Sequence, residues 1–320
     1  MLDAGALPPL DADLTPPDGA LPDAADADAG APDASVSCPV FGVPSPLAFT
    51  LANGAFPDSG HPDVVVHVPE GYDACMPQGA IVFFHGFSNC VTNVVGTVST
   101  ACTPGGAART PLHLIEQLDA LRVNAILIAV ELRYDMASGD PGALASDGGL
   151  RALLEELYRD HLSSLLGRPT TIDDVERVVL ASHSGGYTAL ARSLDRGAVD
   201  IDEVQLYDSL YGEIPTYQAW IDDNLLRFDR TALDPLRFVD VFTDGGGTAG
   251  NSRALGTAIE ASLALSGDPM NLLYDDTTAT LDAAAFEHPL IVKHSMLSHD
   301  GVVVYYFQRF LAASGFAPLP

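Results

Sequence analysis

The sequence predicts an α/β fold, with a mostly parallel central sheet flanked by helices on both faces. Three observations lead there. From residue 38 onward, short apolar runs alternate with amphipathic stretches. Two of the runs, Ile81-Val82-Phe83-Phe84 and Ile126 to Val130, are apolar without interruption, as in strands covered on both faces. Of the 320 residues, 47% are hydrophobic and 18% charged, so a chain of this length can bury one large core.

The elements follow in order. Strands are expected over 63–68, 80–85, 125–131, 177–182, 203–207, 238–243 and 290–294. Leu150, Leu153, Leu154, Leu157, His161, Leu162 and Leu165 recur at helical spacing, predicting a helix over 149–166 that Gly167 and Pro169 end. Val303, Tyr306, Phe307, Phe310 and Leu311 mark a last helix. The stretch from Ser88 to Arg109 is polar and periodic in neither sense, which predicts a long loop. There is no internal repeat, and no apolar run approaches the roughly 18 residues that cross a bilayer.

Residues 1–37 hold eight Asp, no basic residue, and many Ala and Pro. Such a segment has too little apolar surface to offset its ordering entropy and is expected to be a disordered tail ahead of one domain over 38–320. The formal net charge is −28, from 43 acidic and 15 basic residues, with Lys293 the single lysine. A polyanion is a poor match for nucleic acid or anionic lipid, so neither is an expected partner.

Cys38, Cys75, Cys90 and Cys102 are the four cysteines, and neither CxxC nor zinc spacing occurs among them. Two disulfides in an exported protein are expected, Cys90–Cys102 bracing the long loop and Cys38–Cys75 the other. No EF-hand or HExxH pattern occurs, and neither a metal nor another cofactor is expected in the chemistry.

The motif of greatest chemical interest is Val178-Val179-Leu180-Ala181-Ser182-His183-Ser184-Gly185-Gly186-Tyr187, an apolar run meeting a small-His-Ser-Gly-Gly turn and then a helix-forming stretch. A strand–turn–helix context of this kind sets a serine hydroxyl above the end of a sheet, and the residues two before and two after must be small. Ser182 and Gly186 are. On these residues the region from about 40 to 315 resembles the α/β-hydrolase family, with Ser182 standing where that family usually has Gly. The tail resembles the spacers that follow the lipidated Cys of bacterial surface lipoproteins; a signal peptide is expected to be absent from this chain and a lipid anchor to lie upstream.

The family resemblance implies a Ser-His-Asp triad with Ser184 as nucleophile. His85-Gly86-Phe87 follows a buried strand where the family places an oxyanion turn, which implies the amides of Phe87 and Gly185 as oxyanion donors and a packing role for the His85 ring. His299 stands before the final helix, where the family carries its imidazole, while His294 falls inside the last strand. For the acid, Asp208 ends the strand over 203–207 and Asp244 follows the strand over 238–243. Asp208 is the expected one, because it caps an apolar strand and aromatic residues follow it; Asp244, followed by three glycines, is the alternate.

Glu131, Arg133, Asp135 and Ser138-Gly139-Asp140 follow a strand on the ligand-binding side of such a sheet, as cleft lining or as a surface ion-pair cluster. Tyr217 and Trp220 belong either to a cap or to the core. The implied reaction is acyl transfer on a small-molecule or polymeric ester, the ester by analogy with the family. An amidase or peptidase with the same triad, and a non-catalytic surface-binding module on the same scaffold, are the other readings.

Overall fold

The computed structural model describes residues 45–319, apart from 58, 136–139, 230 and 267–270. The tail expected over 1–37, Cys38, and Ser138-Gly139 lie outside the described residues. One sheet carries nine described strands: β1 (Leu47–Phe49), β2 (Val64–His67), β3 (Gln78–Phe84), β4 (Ala125–Val130), β5 (Val175–His183), β6 (Glu203–Tyr207), β7 (Arg237–Thr243), β8 (Leu272–Asp275) and β9 (Leu290–Ser295). Their order across the sheet is β1-β2-β4-β3-β5-β6-β7-β9-β8. β1 and β2, and β2 and β4, pair antiparallel; every other pairing is parallel.

Side-chain alternation splits the core into two layers. From β5, Val178 and Leu180 enter one layer, and Val179 and Ala181 the other. The first layer is closed by α3 (Gly149–Glu156), α5 (Tyr187–Arg196), α6 (Ile214–Asp223) and α7 (Ala249–Ser266). The second is closed by α1 (Val91–Val95), α2 (Leu114–Asp119) and α8 (Gly301–Leu311). Helices therefore cover both faces, which is why β3 and β4 are buried along their whole length. Among the described residues no helix is long and apolar enough to cross a membrane.

Two expectations need correction. The helix over 149–166 is not uniform: α3 passes into a π-helical turn, Leu157–Leu162, and a short α4, Ser163–Leu165. The wide turn keeps Leu157, Tyr158 and Leu162 in the core. Nor is the stretch from Ser88 to Arg109 all loop. It opens with α1, whose Val91, Val94 and Val95 are buried, although five residues are too few to show a helical period.

Cys90 and Cys102 form the expected disulfide. The braced segment closes on itself through the Asn93 side-chain oxygen, which accepts the Thr100 N–H at 2.9 Å, and a bridge between Thr100 and Arg109. Cys75 is also disulfide-bonded, while its expected partner Cys38 falls outside the described residues.

Candidate active site

The parallel strands deliver the candidate residues to one end of the sheet, where loops leaving their carboxyl ends converge. β5 lies at the middle of the strand order and ends at His183. Ser184 follows with φ of 54°, a left-handed conformation that a non-glycine residue adopts only when its surroundings enforce it. Those surroundings are close-packed backbones. A Cβ on Gly186 would stand 2.4 Å from the Phe84 carbonyl oxygen, and one on Gly86 would stand 2.5 Å from the Ser184 Cβ. Only glycine lets the β3 turn and the β5 turn approach this far.

Ser182, the position that departs from the family's usual Gly, is fully buried. Its hydroxyl lies 2.8 Å from the Ser209 hydroxyl, which donates in turn to the Ser184 carbonyl at 2.8 Å. The departure thus adds a polar tie between the serine turn and the loop after β6.

That loop begins with Asp208, also in a left-handed conformation, with φ of 46°. Its carboxylate is 0% exposed and accepts from four donors. His299 Nδ1 reaches Oδ2 at 2.7 Å, the Thr243 hydroxyl reaches Oδ2 at 2.7 Å, the Thr243 N–H reaches Oδ1 at 3.1 Å, and the Thr248 hydroxyl also donates to Oδ1. Burial pushes the carboxyl pKa up, but the hydrogen bonds from His299, Thr243 and Thr248 outweigh it and hold it below the ordinary value. Gly246 backs directly onto this group: a Cβ there would lie 2.1 Å from Asp208 Oδ2.

Asp244, the alternate acid, turns away. Its side chain is 66% exposed and pairs with His294 Nε2 at 3.2 Å and Arg253 at 3.7 Å. The His294 ring, on the last strand, stacks flat on Phe242 at 5.0 Å. Of the two candidate His–Asp pairs, His299–Asp208 is the one whose histidine lines the cleft that holds Ser184.

The cleft has a volume of about 290 Å³, and its walls include Gly86, Phe87, Arg109, His183, Ser184 and His299. Ser184 and His299 share it, although no direct hydrogen bond joins their side chains among the described residues. Such contacts commonly tighten only when substrate is bound. Burial, then the charge of Asp208, push the Tyr211 hydroxyl pKa up to about 12, and the nearby Ser184 side chain offsets part of the rise.

His183 packs its ring 4.5 Å from that of His299 and donates Nε2–H to the His299 carbonyl at 3.1 Å. Burial, then the neighbouring His299, lower its pKa to about 4, so it is neutral at pH 7. The Phe87 side chain is 45% exposed at the cleft wall, and Gly185 occupies the turn leading into α5.

His85 has the packing role expected of it. Its Nε2 accepts the Leu132 N–H at 2.8 Å, so Nδ1 carries the proton and donates to the Gly86 carbonyl at 2.9 Å. Because N–H and C=O of a trans peptide point opposite ways, holding the Gly86 carbonyl also aims the Phe87 N–H.

The remaining candidates divide. Glu131 is buried and accepts the Val91 N–H at 2.9 Å, so it supports the braced segment. Arg133 and Asp135 form an exposed ion pair, 2.9 Å apart, and Asp140 caps the turn at Gly142. Tyr217 is core, its hydroxyl donating to the Tyr187 carbonyl at 2.7 Å, and Trp220 packs edge-on against Phe228. Sequence reasoning missed Arg109, the two threonines on Asp208, and the closeness of Tyr211 to Ser184. Each depends on contacts between segments far apart in the chain, for which no local pattern exists.

No family model matches the chain, and no characterised protein matches it in sequence. Solved structures do resemble it in three dimensions. A feruloyl esterase module from Clostridium thermocellum, complexed with sinapinate, is 10% identical with a TM-score of 0.49, over 84% of this chain and 86% of that one. A siderophore hydrolase from Aspergillus nidulans is 12% identical with a TM-score of 0.45, over 88% and 99%. An S-formylglutathione hydrolase from Agrobacterium tumefaciens is 10% identical with a TM-score of 0.41, over 78% and 88%. The fold assignment rests on the chain's own sheet and turns. A mostly parallel sheet in this strand order, with a strained serine turn on its central strand, gives the chain the α/β-hydrolase fold.

Proposed function

We propose that the protein is a serine hydrolase that cleaves carboxylic esters by acyl transfer, with Ser184, His299 and Asp208 as its triad. The observation that carries this reading is that His299, which lines the cleft with Ser184, is paired through Nδ1 with the buried Asp208 behind it. A proton kept on Nδ1 by Asp208 leaves Nε2 free to accept one. In this reading His299 takes the Ser184 proton as the hydroxyl attacks the ester carbonyl, and Asp208 stabilises the resulting imidazolium. The amides of Phe87 and Gly185 hold the oxyanion, the latter favoured by its place before α5. Collapse expels the alcohol, which takes its proton from His299. Water, activated by the same imidazole, then releases the acid and restores Ser184.

The disulfide fits a protein made for an oxidising compartment, so export, with the tail as a spacer below a lipid anchor, belongs to the same proposal. The substrate class is tested by offering p-nitrophenyl esters of increasing chain length beside peptide anilides. Ester turnover that exceeds anilide turnover and disappears in His299→Ala supports the reading. Faster anilide cleavage would make the protein an amidase or peptidase with the same triad.

A further inference from the structure

The cleft contains one guanidinium. Arg109 lines it beside Phe87, and its hydrogen bonds run to main-chain carbonyls: Nε to Ser88 at 3.0 Å and Nη2 to Phe87 at 3.4 Å. No carboxylate among the described residues lies within ion-pairing distance of it, in a protein whose formal charge is −28 and where acids outnumber bases almost three to one. A carboxylate also lines the cleft: Asp300 stands 3.8 Å from the His183 ring. The cleft thus holds a cation by the Phe87 turn and an anion by the His183 ring.

An arginine has five N–H donors, and these two bonds leave most of them unused, including both on Nη1. Its planar fork is suited to bidentate recognition of a carboxylate. Two backbone carbonyls hold the Arg109 guanidinium against the turn, so little side-chain freedom is lost when an anion arrives.

We propose that Arg109 selects substrates bearing a free carboxylate a few bonds from the scissile carbonyl, such as monoesters of short dicarboxylic acids. The inference rests on the serine hydrolase reading and deepens it by naming the substrate class. The distance limit follows from the anchoring, because a guanidinium bonded to the Phe87 and Ser88 carbonyls sits next to the proposed oxyanion site.

The test compares the p-nitrophenyl monoester of glutaric acid with p-nitrophenyl valerate, an uncharged ester of similar length, on wild type, Arg109→Gln and Arg109→Lys. The expected result is a ratio of kcat/KM, charged over neutral, that falls at least tenfold in Arg109→Gln and less in Arg109→Lys. If Arg109 only clamps the turn, both esters lose equally and the ratio is unchanged, which overturns the proposal. Labelling of the wild-type protein by a fluorophosphonate probe supplies a readout independent of either variant. Free glutarate should slow that labelling. Labelling that ignores glutarate refutes carboxylate binding and leaves the hydrolase reading intact, whereas absence of any labelling defeats both.

Discussion

His299 Nδ1 lies 2.7 Å from Asp208 Oδ2, linking the loop before the last helix to the end of β6 across 91 residues of sequence. Asp208→Asn replaces the acceptor with a group that can donate, which favours the wrong imidazole tautomer. A loss of about 10³–10⁴ in kcat is expected, with folding unchanged. Asp244→Asn, which removes an exposed partner of His294 and Arg253, should cost less than a factor of about 10. Steady-state kinetics on both variants decide between the two acids, and a reversed order would reject Asp208.

Gly246 holds the same carboxylate from behind. Gly246→Ala would press a methyl group into Asp208 Oδ2, since the added Cβ would start 2.1 Å away. The carboxylate must shift, and misplacement by about 1 Å is enough to cost on the order of 10² in rate. A thermal melt close to wild type with a kcat reduced by about that factor is the expected pair of results. Unreduced turnover would mean that the position of Asp208 is unimportant.

Asp240 is a second buried acid, outside the proposed triad. It is fully buried on β7, where the Ser252 hydroxyl neighbours its carboxyl group. Burial raises its pKa to about 7, with Ser252 offsetting only part of the effect. The sign follows from linkage. With the folded pKa above the unfolded one, the unfolded chain gives up this proton first, so stability falls as pH rises from about 4 to about 7 and then levels off. Asp240→Asn removes that dependence. Its melting temperature relative to wild type should therefore climb across this interval and stay constant above it, and a parallel pair of melting curves from pH 4 to 8 would contradict the assignment.

The Cys90–Cys102 disulfide joins residues 12 apart in sequence, beside the turn that carries Phe87. On the chain-entropy model such a bridge is worth about 3 kcal/mol, although measured values scatter from zero upward. The double variant Cys90→Ala/Cys102→Ala should melt at a lower temperature and lose turnover as the braced segment loosens around Arg109 and Phe87. Equal stability and turnover in the variant would show that the bridge is dispensable.

The strand pattern was legible because β2 to β5 and β9 carry apolar runs, while β6 and β7 carry β-branched, aromatic and Leu residues interspersed with polar ones, all bounded by turn residues. β1 and β8 were not, being edge strands of three and four residues with partly exposed side chains. The serine turn was legible because its demand for small residues falls on neighbours in sequence. Asp208 could be preferred over Asp244 on local grounds, but the donors that stabilise it, Thr243 and Thr248, come from the end of β7 and the loop after it. The three glycines after Asp244 read as a mobile, solvated setting in the sequence. In the structure Gly246 is the close-packed back wall of Asp208, a role visible only once β6 and β7 are neighbours. Arg109 reads locally as one more polar loop residue, and only the folding of its segment against the Phe87 turn gives it a place in the cleft.

The proposed chemistry stands on Ser184 being an activated nucleophile. The most direct measurement is labelling with a fluorophosphonate probe, followed by peptide mapping of the adduct in wild type and Ser184→Ala. Stoichiometric modification at Ser184 is expected, none in Ser184→Ala, and a fall in ester turnover of at least about 10⁴ in that variant with its fold intact. Labelling that persists in Ser184→Ala, or maps to another residue, would contradict that role.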